Sequence, residues 1–308
     1  MLVNELPTSF VLSIAFVLGA LWGSFFNVAI HRWPRDMSVV SPPSHCPACN
    51  KPIPGWRNIP IFAYLIQRGK AACCGAAMTP RYLVVEVLSA VLAVALAQRF
   101  IIETDPQGSL ATAAIDAALW FVFVGALVIG TFVDLEWMEI PDEVSIGGAA
   151  VGLATVSLRT GITAADAAFG AGAAFLVVQV LLVWGWERFS GRRGMGEGDS
   201  KLLMMIGAFL GWRGAAFALV AGAVQGVIGY VAARATGRGG SEPKEPATAR
   251  SDSDSDSESD SDSDGDSDSD GDPHASQRIP FGPFLALGAL EFLFFGEPII
   301  AWYLRQFE

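Results

Sequence analysis

Apolar runs recur along the chain, each followed by a short polar stretch. Eight of them approach the roughly 20 residues that a helix needs to cross a bilayer, at about 10–30, 82–101, 114–134, 144–160, 165–187, 200–212, 214–234 and 281–304. The fourth and sixth runs are short, and the Gly-rich stretches 147–150 and 170–174 favour close helix packing over lipid contact. The pattern predicts an all-α polytopic membrane protein with about eight transmembrane helices and a small cysteine-containing cytoplasmic domain between the first two.

Composition agrees with this pattern, since 52% of the 308 residues are hydrophobic and the mean hydropathy is +0.43. The net charge of −11 comes from one place, because residues 251–272 hold eleven acids and no base, which leaves zero for the rest of the chain. That Ser-Asp run cannot bury apolar surface, so we predict a disordered linker at 237–278. The charge therefore says nothing about the substrate, and we expect no nucleic-acid partner.

The basic residues predict the orientation. With the N-terminus outside, sixteen of the twenty Lys and Arg residues fall in loops on the cytoplasmic side. Residues 1–5 lack the basic stretch of a cleavable signal peptide, so we expect the first helix to remain. The predicted division is a first transmembrane helix (1–30), a cytoplasmic segment (31–81), a membrane core (82–236), the acidic linker (237–278) and a last helix (279–308).

Two aspartates lie at the expected cytoplasmic ends of apolar helices, Asp134 after the third run and Asp199 before the sixth. An acid at the edge of a hydrocarbon span is costly and indicates function. Ionisation of both of two neighbouring carboxyl groups is unfavourable because their charges repel. The pair therefore retains one proton and can activate a water molecule. We predict that Asp134 and Asp199 are the catalytic pair of an aspartic peptidase. The alternative is that both acids only cap helices.

Residues around these acids suggest supporting roles. Gly196 and Gly198 are expected to let a substrate backbone approach Asp199 and to adopt dihedral angles closed to other residues. Lys201 and the helix dipole should favour the Asp199 anion, which makes Asp199 the base and Asp134 the acid. Asp142 follows a proline and is expected to cap the fourth helix. Glu86, one turn into the second helix, is expected to make a polar contact near an active site.

All four cysteines lie in the cytoplasmic segment, as Cys46 and Cys49 in a CxxC motif and as the adjacent pair Cys73 and Cys74. A reducing compartment disfavours disulfides, so the spacing predicts a structural zinc site. Adjacent cysteines chelate one ion less easily than a second CxxC motif, and His45 could complete or replace a ligand. The alternative is a set of reduced thiols in a small proline-rich loop.

Motifs along nearly the whole chain resemble those of the bacterial type IV prepilin peptidases, which are bifunctional leader peptidases and N-methyltransferases. The matching stretches are Gly23-Ser24-Phe25-Phe26-Asn27-Val28, 42–49, Asn58-Ile59-Pro60, Arg68-Gly69-Lys70, Thr79-Pro80-Arg81-Tyr82 with Glu86, Asp134-Leu135, Ile140-Pro141-Asp142, 194–203 and 279–285. Two departures stand out. Ala71 occupies the position of the third cysteine in relatives with two CxxC pairs, and the Ser-Asp run resembles nothing in the family.

The resemblance implies that Asp134 and Asp199 are the catalytic pair and that S-adenosyl-L-methionine is the methyl donor, held by the cytoplasmic segment. It also implies prepilin or pseudopilin substrates that are cleaved at the cytoplasmic side of the bacterial inner membrane. Three alternatives stay open at this point. They are a peptidase without methyl transfer, a proton-coupled transporter, and a non-catalytic scaffold for secretion assembly.

Overall fold

The computed structural model describes residues 5–104, 107–190, 196–235 and 280–306. In these ranges the chain is helical, and its only β-type pairing is two isolated bridges, His45 with Pro52 and Lys70 with Ala77. The predicted all-α class is confirmed. The predicted acidic linker 237–278 and the motif residues 194, 195 and 279 lie outside the described ranges. The chain divides into two compact units. The first runs to Gln225 and resumes at Pro280. The described part of the second unit, Gly226–Ala235, is the end of one helix.

Nine α-helices occur in the described residues. They are α1 (Thr8–Arg32), α2 (Phe62–Ile66), α3 (Arg81–Ala97), α4 (Leu110–Trp137), α5 (Asp142–Ala154), α6 (Ala164–Val177), α7 (Trp186–Ser190), α8 (Glu197–Ala235) and α9 (Gly282–Leu304). Wider π-helical turns extend α3 over Gln98–Ile102 and join α6 to α7 over Val178–Gly185. Tight 3₁₀ turns follow α1 at Trp33–Arg35 and α5 at Val156–Leu158.

Five helical stretches are long and apolar enough to cross a membrane, which confirms a polytopic membrane protein. They are Thr8–Arg35, Arg81–Ile102, Leu110–Trp137, Ala164–Phe189 and Glu197–Ala232, and a shorter apolar helix covers Gly282–Gly296. At the fourth predicted run, α5 has only 13 residues, about 20 Å at 1.5 Å per residue, less than a hydrocarbon core of about 30 Å. The count of eight spans stays a prediction.

Helix α8 is broken at Gly211, where φ is 70° and ψ is −177°. The break falls inside the sixth predicted run, 200–212, one residue before its end. Only glycine adopts these angles without steric cost, so this residue allows the chain to leave the helical path and resume it at once. The position of the break decides which neighbours each half of α8 contacts.

The two halves of α8 run in opposite directions. The first half lies parallel to α5, because Met205 packs on Gly148 and Phe209 packs on Gly152. The second half lies antiparallel to α9. Moving from 214 through 218 to 222 along α8, the contacts move back along α9 from 292 through 288 to 284. Helices α5 and α9 both begin near the end of α4, so α8 leaves that end of the bundle and returns toward it.

Small residues let the first two long helices pack closely. A Cβ atom added at Gly19 would lie 2.6 Å from the Cβ of Ala93, and one at Gly23 would lie 2.8 Å from the Cα of Glu86. Aromatic side chains fill the centre of the bundle, where the rings of Phe123 and Phe209 stack with centroids 4.6 Å apart. The close α1–α3 pair and this aromatic core position the helix ends that carry the polar residues.

Arg159 caps two helix ends inside the bundle. Its side chain is buried, and its Nη atoms donate hydrogen bonds to the carbonyl oxygens of Phe209 (3.0 Å), Ala208 (3.1 Å) and Gly152 (2.6 Å). The break at Gly211 removes the helical donors that these α8 carbonyls would otherwise have, and Gly152 lies in the last turn of α5. The guanidinium therefore ties the end of α5 to the end of the first half of α8.

We expect Arg159→Met to destabilise the protein strongly. Three buried carbonyl groups would lose a charged donor, at about 1–3 kcal/mol for each group left unpaired. Thermal unfolding in detergent, followed by circular dichroism, should show a melting temperature at least about 5 °C lower. Arg213→Met is the matched control, because Arg213 is exposed and stacks on the neighbouring Trp212 ring. Equal melting temperatures for the two variants would contradict the capping role.

Candidate active site

Several helix ends meet at one end of the bundle. The amide of Asn27, near the end of α1, donates to the carbonyl of Tyr82 at the start of α3 (3.1 Å). Arg81, beside it, forms an ion pair with Glu136 in the last turn of α4. Through these contacts the N-terminal helices and the end of α4 share one level of the structure, where the two predicted catalytic aspartates also lie.

Asp134 lies in the last turn of α4. Helix α4 ends at Met138, which adopts a left-handed conformation (φ 57°) and donates its N–H to the Asp134 carbonyl (2.9 Å). The Asp134 carboxylate is 6% exposed and accepts a hydrogen bond at Oδ2 from the backbone N–H of Gly282 (2.9 Å). The start of α9 therefore orients this carboxylate.

Asp199 lies in the first turn of α8 and is 8% exposed. Its carboxylate Oδ2 accepts a hydrogen bond from the N–H of Gly196 (3.3 Å), and its own N–H donates to the Gly196 carbonyl (3.2 Å). The start of α8 thus folds back on itself around this side chain. The predicted position of Asp199 at the N-terminus of a helix is confirmed.

The carboxylates of Asp134 and Asp199 lie close enough to repel one another electrostatically. Ile140, in the loop between α4 and α5, lies between Gly198 and Gly282, the glycines next to the two acids. A Cβ atom added at Gly198 would lie 3.3 Å from the Cβ of Ile140, and one at Gly282 would lie 3.2 Å from its Cδ1. The structure therefore brings together two acids that are 65 positions apart in the sequence.

The expectation for the glycine dihedral angles was wrong. Neither Gly196 nor Gly198 has a positive φ, and the positive-φ glycines of the described residues lie elsewhere. Their small size matters instead. Gly198 lets the start of α8 approach Ile140, and Gly196 supplies the N–H that binds Asp199. These residues act through close contact and hydrogen bonding and not through unusual backbone angles.

Asp142 and Lys201 pair with each other, and this overturns two predictions. Asp142 is the first residue of α5 and makes no side-chain capping bond; the N-cap position is Pro141. Its carboxylate accepts from Lys201 Nζ at 2.6 Å. Lys201 therefore neutralises Asp142, and among the described residues the N–H of Gly196 and the helix dipole favour the Asp199 anion. The ion pair fixes the start of α5 beside the start of α8.

Glu86 contacts the segment between α1 and α3. It is buried, and its Oε2 accepts a hydrogen bond from the N–H of Ile61 at 2.6 Å. Ile61 has φ 65° and ψ −56°, and Phe62 N–H bonds to the Pro60 carbonyl across it at 2.7 Å, which is a γ-turn of the strained kind. A β-branched residue rarely adopts a positive φ. The buried carboxylate therefore holds a strained turn.

The four cysteine sulfur atoms form one cluster, with all Sγ atoms within 4.8 Å of one another. The distance from Cys49 to Cys73 is 3.3 Å and that from Cys46 to Cys74 is 3.8 Å. Tetrahedral zinc with Zn–S bonds of about 2.3 Å needs sulfur atoms about 3.8 Å apart. The adjacency of Cys73 and Cys74 does not keep either sulfur out of the cluster. The cluster that the described residues form does not include His45.

The charge state of the thiols suits a cation. The backbone N–H of Ala48 lowers the pKa of Cys46 to about 6, which favours its thiolate form. The neighbouring Cys49 thiol, which hydrogen-bonds with Cys73, raises the pKa of Cys73 to about 12. A second thiolate is unfavourable beside the first, and a divalent cation at the centre would remove that penalty. The donor set therefore fits a metal ion.

Two turns of the same backbone pattern carry the cysteines. In residues 46–51 and 71–76 the first N–H donates to the sixth carbonyl and the fifth N–H to the first carbonyl, at 2.7–2.9 Å. The fifth residue of each turn has a positive φ. By this register Ala71 is equivalent to Cys46, and Cys73 is an additional thiol. Cys73 is the third residue of its turn, where the first turn has Ala48, and its sulfur nevertheless lies in the cluster.

Comparison with known proteins gives the family. Residues 17–100 match the family described as Bacterial Peptidase A24 N-terminal domain, and residues 121–231 match the Type IV leader peptidase family. A relative from Aeromonas hydrophila, the "Prepilin leader peptidase/N-methyltransferase", is 32% identical in an alignment of 322 positions that covers 96% of this chain and 94% of the relative. The chain belongs to the type IV leader peptidase family.

Two further relatives carry the same name as the Aeromonas protein. One from Myxococcus xanthus (strain DK1622) is 36% identical over 227 residues, 73% of this chain and 64% of the relative. One from Stutzerimonas stutzeri is 29% identical in an alignment of 323 positions that covers 97% of this chain and 95% of the relative. No solved structure matches the chain. The predicted family and the prediction that the protein is an enzyme, a membrane peptidase, are confirmed.

Sequence reasoning missed the parts that Gly282 and Ile140 play in this leader peptidase. Both lie in stretches that carried the resemblance, but neither has a side chain with catalytic chemistry. Gly282 acts through its N–H, and Ile140 through contact with the glycines beside both acids. The only available signal was a glycine between phenylalanine and proline at the start of an apolar run.

We expect Gly282→Ala to lower cleavage of a prepilin-like substrate at least about tenfold, because the added Cβ would lie 2.7 Å from Asp134 Oδ2 and displace it. The measurement is the initial rate with purified protein in detergent. Gly147→Ala is the control, since its Cβ would meet nothing closer than 4.0 Å. Full activity of Gly282→Ala would show that the tight contact with Asp134 is not needed.

Proposed function

We propose that the protein cleaves the leader of type IV prepilin-like precursors with Asp134 and Asp199 and then methylates the new N-terminus. One observation carries the peptidase half, namely the two buried carboxylates that interact at the meeting point of α4, α8 and α9. The names of the relatives supply the substrate class and the second activity.

In the proposed mechanism the two carboxyl groups share one proton. The ionised carboxylate takes a proton from a water molecule, which attacks the scissile carbonyl, while the protonated partner donates a hydrogen bond to the carbonyl oxygen. Asp199 is the base, because it lies in the first turn of α8, where the helix dipole favours an anion. Asp134 is the acid. A closely coupled pair titrates jointly, so the roles belong to the predominant microstate.

The hydrogen bonds from backbone N–H groups give each acid a fixed direction. Gly282 holds one oxygen of Asp134 and Gly196 holds one oxygen of Asp199, so the remaining oxygens are available for the water molecule and the substrate carbonyl. The ion pair of Asp142 with Lys201 keeps α5 beside α8. The protein therefore supplies a preorganised pair, and little reorganisation precedes the reaction.

The location of the site suits a substrate with a short basic leader and an apolar stalk helix. Asp134 and Asp199 lie at the ends of long apolar helices, where the junction between leader and stalk would enter. The excess of Lys and Arg in the loops at this end supports a cytoplasmic orientation in the bacterial inner membrane. The proposed eight spans and the division into five segments follow the same topology.

We expect Asp134→Asn and Asp199→Asn each to abolish leader cleavage, with losses of at least about a thousandfold, because neither variant can share a proton within a carboxyl pair. Cleavage of a purified precursor is followed by the gel shift of the mature product. Asp166→Asn is the control, since Asp166 lies in the first turn of α6 and pairs with Thr163. Substantial cleavage by either asparagine variant would favour a scaffold or transporter role.

Methyl transfer is assigned to residues 31–81 together with the adjoining helices. The family match over 17–100 is separate from the match over 121–231 that contains both aspartates, and this separation supports a distinct part of the chain for the second activity. S-adenosyl-L-methionine would supply an electrophilic methyl group to the new amino terminus. A peptidase without methyl transfer is the alternative, and the altered cysteine register with Ala71 is the observation that favours it.

The cysteine cluster is proposed to hold one zinc ion through Cys46, Cys49, Cys73 and Cys74. The short distances between the sulfur atoms and the lowered pKa of Cys46 support this proposal. A metal there would join the turns 46–51 and 71–76 and so close the loop between them, which carries the strained turn at Ile61. The role is structural, because four protein ligands leave no open coordination position.

We expect Cys73→Ala to reduce zinc from one to less than about 0.3 equivalents per chain, because three thiolates bind less tightly than four. Adding Ala71→Cys should restore it, since residue 71 is equivalent to Cys46. Zinc is measured by mass spectrometry after dialysis against a weak chelator. Ala72→Cys in the Cys73→Ala background is the control and should not restore zinc. Full zinc retention by Cys73→Ala alone would exclude Cys73 as a ligand.

A further inference from the structure

A cavity of about 310 Å³ lies where the segment after α1 folds back on the end of that helix. Pockets for small ligands and cofactors begin at about this volume. The lining side chains come from α1 and from two parts of the segment, and they are Leu21, Ser24, Phe25, Val28, Arg32, Val39, Val40, Pro42, Pro43, Ser44, Asn58 and Pro60. Apolar and polar groups therefore line the same cavity.

Arg32 gives one wall a positive charge. It is 5% exposed, and its Nη atoms donate to the carbonyl oxygens of Ser38 (2.8 Å) and Pro42 (2.7 Å). No carboxylate of the described residues forms an ion pair with it. A buried guanidinium whose partners are neutral carbonyls attracts an anionic group, and a carboxylate matches its fork-shaped donors.

Glu86 places a buried carboxyl group nearby. Its carboxylate bonds to Ile61, the residue after the lining residue Pro60, and lies close to Ser24 on α1. The γ-turn that it stabilises is strained, and such strain persists where the surrounding structure enforces it, often at ligand sites. A buried guanidinium and Pro60 of the strained turn therefore line the cavity, and a buried carboxyl group bonds to the residue that follows Pro60.

S-adenosyl-L-methionine has the complementary groups. It carries a carboxylate, a positively charged sulfonium and an adenosyl group with a flat apolar face. Arg32 suits the carboxylate, the side near Ser24 and Glu86 suits the sulfonium, and Phe25 with Val28 and Val39 suits the adenosyl group. We infer that this cavity binds the methyl donor. The inference rests on the methyl-transfer half of the proposed function and is independent of the aspartate pair.

The cavity lies at the same end of the bundle as the aspartates. Arg81 links the start of α3 to Glu136, two residues after Asp134, and Asn27 links the end of α1 to the start of α3. A new amino terminus released at the aspartates would therefore reach the donor by moving along one face of the membrane. Two separate sites at one level explain how a single chain could cleave and then methylate the same substrate.

The test fills the cavity without touching the peptidase pair. We expect Val28→Trp in the full-length protein to weaken binding of tritiated S-adenosyl-L-methionine at least tenfold and to leave leader cleavage within about twofold of the unchanged protein. Leu18→Trp is the matched control, since Leu18 lies on α1, is exposed and is not among the lining residues. It should change neither quantity. Donor binding by Val28→Trp at the unchanged affinity would overturn the inference.

Photolabelling of the unchanged protein keeps the test decisive if a variant misfolds. An 8-azidoadenosyl analogue of the donor should label residues 21–28, 39–44 or 58–60, found by peptide mass mapping, and an excess of S-adenosyl-L-homocysteine should prevent the labelling. Specific labelling only elsewhere would place the donor outside the cavity and overturn the inference. A protein that cleaves precursors but binds no donor would remove the methyl-transfer proposal and this inference, while the peptidase proposal would stand.

Discussion

Two carboxyl groups must be held against one another inside a membrane protein, and the rest of the structure follows from that constraint. Asp134 and Asp199 are both almost fully buried and repel when both are ionised. Such a pair is unfavourable unless the surrounding chain holds it rigidly and provides hydrogen-bond donors. The donors here are backbone N–H groups at the starts of α8 and α9, so no charged residue is needed to orient the two carboxylates.

The framework keeps these helix starts in place from both ends of the bundle. At the active-site end, Ile140 packs against Gly198 and Gly282, and Asp142 binds Lys201. At the other end, the break at Gly211 turns α8 back on itself, and Arg159 satisfies the carbonyl groups that the break exposes. Because α5 and the first half of α8 are joined at both ends, Asp199 has little freedom to move away from Asp134.

The N-terminal part is built by a different principle. The segment between α1 and α3 contains only one short α-helix, α2, so it cannot form a large apolar core of its own. Its order comes from the cysteine cluster, from Arg32 bonded to two carbonyl groups and from Glu86 bonded to the strained turn at Ile61. These buried polar contacts are specific and directional, so they define a small cavity where hydrophobic packing alone would not.

Apolar run lengths, the acids at their ends and the cysteine spacing are properties of the linear chain, and by themselves they determined the helical membrane class, the candidate acids and the candidate metal ligands. Contacts between distant residues are not encoded in such local patterns. Tertiary structure alone decided that Lys201 binds Asp142, that Gly196 and Gly198 act without unusual dihedral angles, and that Gly282 orients Asp134. The physical reason is that a backbone N–H has the same chemistry in every residue except proline, so only the folded chain determines which carboxylate it meets.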